Sequence, residues 1–153
     1  MHLKYFRTEA IKTTTLHFQF FTFKNLNSLN QNEIKKTVVI GASSNPSRYA
    51  HTAVLQLTGI NVPVIALGLK NEMIGAIEIL TGFPEIENVH TVTMYVGPKK
   101  QPQYYDYILN RLKPKRIIFN PGTENKEFEE LATVNNIKVM NYCTLVMISN
   151  GIF

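Results

Sequence analysis

Five short apolar runs, each ending at a small residue or a turn, alternate with stretches of helical spacing from Thr37 onward, and this alternation limits the fold more than any other feature. Thr37-Val38-Val39-Ile40 is β-branched and stops at Gly41, as a strand buried in a parallel sheet does. Arg48 to Thr58 carries Tyr49, Ala50, Ala53, Val54 and Leu57 at helical spacing, with Gly59 placed to cap it. Val62 to Leu67 reads as a second strand and Thr91 to Val96 as a third. Pro102 opens a helix with Tyr104, Tyr105, Ile108, Leu109 and Leu112 on one side. Arg116 to Phe119 is a fourth strand. Asn125 is placed to cap a helix over 126–135, whose first turns hold Glu127, Glu129 and Glu130 against the positive dipole end. Ile137 to Met140 is a fifth strand. The stretch 71–89, broken by Gly75, Gly82 and Pro84, reads as loop with at most a short extended piece. Strands alternating with helices predict an α/β fold: an open parallel sheet of about five strands, right-handed crossovers, and helices on both faces.

The 153 residues suffice for one domain with its own core. No apolar run reaches the roughly 20 residues of a membrane helix. A single cysteine, Cys143, excludes an internal disulfide and a multi-cysteine metal site, and a reducing cytoplasm is the default compartment. The net charge of +5 is unevenly spread. Residues 1–36 hold six basic and two acidic residues, whereas the remainder holds ten basic and nine acidic. Nucleic-acid binding calls for a basic stripe on the fold itself, so this distribution argues against it.

Composition changes near residue 36. The preceding segment has no Gly or Pro, clusters Phe18, Phe20, Phe21 and Phe23, and crowds Asn and Gln between positions 25 and 32. A basic targeting peptide, an accessory strand and an upstream stretch read from too early a start codon all match this composition. We favour the last, because Lys35-Lys36-Thr37 reads as a natural beginning just before a first strand. Residues 1–35 are therefore expected to be an extension, disordered or not native, and 36–153 the folded domain.

In a sheet of this kind ligands bind at the carboxyl ends of the strands, near the point where strand order reverses. Those ends read Gly41-Ala42-Ser43-Ser44-Asn45-Pro46, Gly68-Leu69-Lys70, Val96-Gly97-Pro98, Asn120-Pro121-Gly122-Thr123 and Tyr142-Cys143-Thr144. Glycine, in four of the five, lets a backbone approach a ligand closely. The first loop leads from a strand to a helix N-terminus, which suits a phosphate, with Ser43 and Ser44 as hydroxyl donors and Arg48 as a charge. A plain strand-to-helix turn is the structural alternative. The loop is neither the dinucleotide fingerprint nor a P-loop, since the further glycines and the Gly-Lys-Ser/Thr are missing. The second strand lacks the acid that holds the ribose of NAD and ends instead at Lys70, which suits a ribose phosphate. Lys70 is equally at home as a solvated lysine. NADP and coenzyme A (CoA) both carry such a phosphate.

The segments TVVIGASSNPSRYA, VIALGLK, HTVTMYVGPKKQPQYYDYIL, KRIIFNPGTENKEFEELA and NYCTLVM cover nearly all of residues 36–147. In order and spacing they resemble the small CoA-binding proteins that share the Rossmann-like CoA-binding domain of succinyl-CoA synthetase α subunits. The resemblance implies that Gly41, Ser43, Arg48 and Tyr49 lie along the pyrophosphate and adenosine, with Lys70 near the ribose phosphate. It also implies that Val96, Gly97, Asn120, Pro121 and Gly122 line the cleft for nucleotide and pantetheine; Ala42 and Ser44 belong to the same first loop. The synthetases' second domain, with its phosphorylated histidine, has no counterpart here. His2, His17, His51 and His90 match no such motif. No catalytic or metal-binding residue is assigned. The expected function is binding of CoA or acyl-CoA without ligase chemistry. The alternatives are a small NADP-dependent oxidoreductase, or a subunit that supplies the CoA site to a partner enzyme. A homo-oligomer stays open. Cys143, just past the fifth strand, is either a small buried residue or a thiol within reach of the CoA thiol. Tyr104 with Ile108 is expected on the packing face of its helix.

Overall fold

The computed structural model describes residues 35–153. The extension assigned to 1–35 therefore lies, but for Lys35, outside the described residues. Seven strands form one open sheet in the order β3-β4-β2-β1-β5-β6-β7, mostly parallel. They are β1 (Thr37–Ala42), β2 (Val64–Gly68), β3 (Met73–Ile74), β4 (Ile77–Leu80), β5 (Thr91–Met94), β6 (Arg116–Phe119) and β7 (Lys138–Asn141). Among the described residues three α-helices accompany them: α1 (Tyr49–Gly59), α2 (Lys126–Val134) and α3 (Thr144–Ser149). Two 3-10 turns, Pro98–Lys100 and Pro102–Tyr104, lead into a helical stretch that is π-wound from Tyr107 to Leu112.

Alternation in β1 sends side chains to two cores. Val38 and Ile40 join Val92, Met94, Ile117 and Phe119 under the 107–112 helix and α2. Val39 and Ala42 face the other way, against Ala50, Val54 and Leu57 of α1, with Ile148 of α3 packed at the margin. Helices thus cover both faces, which is why β1 is apolar at every position from Val38 to Ile40. Among the described residues, no helix is long and apolar enough to cross a membrane.

The sheet has two more strands than expected. Gly75, at φ +58, turns β3 back on β4 as an antiparallel hairpin, and β4 then pairs in parallel with β2. The two residues of β3 leave no periodicity to read, and Gly75, which reads as a break ahead of β4, marks a hairpin turn. Helix α3 is too short to show a helical period. The expected cap at Gly59 is also displaced. Gly59 lies inside α1, and the left-handed residue is Asn61 at φ 58, with Val62 N–H donating to Leu57 O at 3.0 Å. Asn136 ends α2 in the same way, because Asn tolerates this conformation better than other residues with side chains. The expected Asn125 cap is present, its Oδ1 accepting from Phe128 N–H at 3.3 Å. Tyr104 and Ile108 are buried, as their spacing implied.

Candidate functional site

Strand order reverses at β1: the chain passes from β1 to β2 and β4 on one side, then returns to β5 on the other. A crevice opens at such a reversal because the two neighbouring connections leave in opposite directions. Here a cleft of about 1080 Å³ lies across the carboxyl ends of β1, β2, β5 and β6. This is just above the roughly 300–1,000 Å³ found for small-molecule sites.

Gly41 sets the first wall. Its φ of +95 belongs to the left-handed side, and the β1–β2 register slips between Ile40 and Ala42. A Cβ at Gly41 would meet the Tyr95 carbonyl group and Val96 Cγ2 at 3.0 Å. Gly41 is therefore the bulge that turns the 42–48 loop over the cleft while β1 stays close to β5. Asn45 shapes that loop, its Oδ1 accepting from Ser47 N–H at 2.9 Å. Helix α1 then begins with no side-chain cap and no acidic residue in its first turn. Helix α2, by contrast, has both. The positive end of α1 is thus left uncompensated beside the cleft, with Tyr49 and Ala50 on the lining.

Every site residue read from the sequence lines this cleft except Asn120. Gly41, Ala42, Ser43, Ser44, Arg48 and Tyr49 come from the β1 loop and α1, and Lys70 from the β2 loop. Val96 and Gly97 come from the β5 loop, Pro121 and Gly122 from the β6 loop. A Cβ on Gly97 or Gly122 would meet nothing within 4 Å, so open space surrounds both. Asn120 is buried, does not line the cleft and spends its side chain on bonds within the fold. Its Nδ2 donates to Thr93 Oγ1 at 2.7 Å and Met94 O at 2.9 Å, and its Oδ1 accepts from Thr144 N–H at 2.8 Å. Ser44 departs from expectation too, because its hydroxyl donates to Glu72. Cys143 is partly buried at the N-cap of α3 and is not among the lining residues.

Several lining residues carry no sequence signal of their own. Glu72 stands beyond the end of β2, past the position where an acid was sought. Lys99 and Lys100 join Arg48 and Lys70 on the lining, so four cations face one carboxylate. Among the described residues the one ion pair is Arg111 with Glu85, neither of which lines the cleft. Gln101, fully buried, ties two walls together: its Nε2 donates to Val96 O at 2.8 Å and Thr123 O at 2.6 Å. Its Oε1 accepts from Asn125 Nδ2 at 2.8 Å. Tyr95 forms the inner wall, and burial pushes its phenol up to about 12, so it is neutral near pH 7. His90, pushed down by burial and by Arg116, Lys115 and Lys35, adjoins Thr91 at the start of β5, the opposite end of the sheet.

The described fold matches solved structures. One, described as an uncharacterized protein, is 45% identical, with a TM-score of 0.76 over 78% of this chain and 98% of that one. A hypothetical protein from Pyrococcus horikoshii OT3 is 19% identical, with a TM-score of 0.69 over 83% and 89%. A Thermus thermophilus structure is 20% identical, with a TM-score of 0.70 over 85% and 98%; these last two show the fold alone. No curated protein matches. The family model described as "CoA binding domain" matches residues 35–149, so the chain belongs to the CoA-binding-domain family.

Proposed function

We propose that the cleft holds CoA or an acyl-CoA through its phosphates, as a binding module without ligase chemistry. The observation that carries this is that Arg48, Lys70, Lys99 and Lys100 line one cleft together with the uncapped start of α1 and a single carboxylate. CoA is a polyanion with a pyrophosphate and a ribose phosphate, and separated cations plus a free helix end match that charge pattern. Gly97 and Gly122 leave open space for a narrow pantetheine arm along the strand ends. No histidine is among the lining residues, and the Tyr95 phenol is too weak an acid to serve as a base at neutral pH. These features favour binding over turnover.

The competing reading is NADP, which carries the same three phosphates in a different arrangement. Isothermal titration with CoA, NAD and NADP separates them. CoA is expected to bind most tightly, and tighter NAD or NADP binding overturns the reading. Arg48→Ala is expected to weaken CoA by about tenfold, since a charge-assisted hydrogen bond to phosphate contributes about 1.5–3 kcal/mol and solvent screens an exposed one. Arg48 is exposed and supplies no cap, so the melting temperature should not move. Unchanged CoA affinity would return Arg48 to the solvent.

A further inference from the structure

We propose that Glu72 selects the position of the phosphate on the ligand's ribose, accepting from a free 2′-hydroxyl and turning away a phosphate placed there. The inference rests on the CoA reading above. Glu72 is the one carboxylate on the cleft lining, yet it pairs with none of the four cations there. Its partner is instead a neutral hydroxyl, that of Ser44, which donates to Oε2 across the gap between the β1 and β2 loops. Oε1 has no hydrogen-bond partner among the described residues. An ionised carboxylate offers about four acceptor sites, so capacity for a further hydroxyl remains.

Position supports the same role. Glu72 lies two residues beyond Lys70, and both line the cleft. A cation and an unpaired acceptor in one short loop complement a phosphate and a hydroxyl on neighbouring ribose oxygens. CoA carries its phosphate on the 3′ oxygen and leaves the 2′ oxygen free. Moving the phosphate to the 2′ oxygen would set a dianion against the carboxylate, and like charges at close range are repelled strongly. In dinucleotide-binding domains an acid at the end of the second strand takes ribose hydroxyls; Glu72 stands four residues past Gly68, the last residue of β2, and offers the same acceptor chemistry from the loop.

The test is isothermal titration of the whole chain, wild type and Glu72→Gln, with CoA and with its regioisomer phosphorylated on the 2′ oxygen. Wild type is expected to prefer CoA by about tenfold or more, and Glu72→Gln to narrow that ratio about tenfold, chiefly by gaining affinity for the isomer. Melting curves confirm that the variant is folded. Equal affinity of wild type for the two isomers overturns the inference while the CoA reading stands. A variant in which both affinities fall together, with the ratio kept, also overturns it, because Glu72 would then serve only to tie the loops. Failure of wild type to bind CoA overturns the underlying reading.

Discussion

Asn120→Ala is expected to destabilise the fold by about 3–4 kcal/mol and to weaken CoA binding only as a consequence of that loss. The side chain, just past β6, ties two elements together in a buried place: Thr93 and Met94 of β5, and the first amide of α3 at Thr144. Thr93 Oγ1 and Thr144 Oγ1 also lie 2.7 Å apart, so the loss would disturb a connected network. Alanine leaves the buried Thr144 N–H without its acceptor and takes a donor from Met94 O and Thr93 Oγ1, which keep Thr123 Oγ1 at 3.4 Å and Thr144 Oγ1 at 2.7 Å; an unmet buried group costs about 1–3 kcal/mol. Urea unfolding reads the effect directly. Calorimetry with CoA well below the melting temperature separates the two roles. Tenfold weaker binding by a fully folded variant would make Asn120 a ligand contact.

Asn120 also shows where reading from sequence reaches its end. The strand-end rule places Asn120-Pro121-Gly122 at the cleft, and Pro121 and Gly122 are there. Whether the first residue past a strand points up to the ligand or down to the sheet depends on the local twist, which one-dimensional spacing does not carry. The same holds for Ser44, whose hydroxyl meets a carboxylate 28 positions away. The long apolar strands and α2 are legible because each repeats a period or carries a cap over several residues. Helix α3 and the β3–β4 hairpin are not, since six residues hold less than two helical turns, two residues hold one strand period, and β4 follows directly on the Gly75 turn that reads as a break. Tertiary partners form them: Asn120 anchors α3, and β2 recruits β4. Glu72 and Lys99 gain meaning only once three loops meet across the sheet.

Gly68→Ala is expected to cost about 3 kcal/mol or more and to weaken CoA by about tenfold, although Gly68 makes no special demand on its own backbone angles. Glycines at strand ends invite the reading that a ligand needs the room. At Gly68 the room is taken by the protein. A Cβ there would stand 2.4 Å from Ala42 O and 2.7 Å from Ile79 Cγ2. The first contact is with backbone, so no side-chain rotation relieves it. Ala42 pairs with Gly68 because the bulge at Gly41 shifts the register, so the clash falls on the start of the loop that leads to α1. Pushing that loop outward separates the helix end from Lys70, and both are invoked for the phosphates. Gly59→Ala is the control: a Cβ there meets nothing within 4 Å and the site lies in a helix, so it should be neutral or stabilise by about 0.5–1 kcal/mol. Thermal melts and calorimetry on the two variants decide the matter. A Gly68→Ala protein that melts with wild type and binds CoA equally would show that β1 and β2 can part without loss, and that this close approach does not shape the cleft.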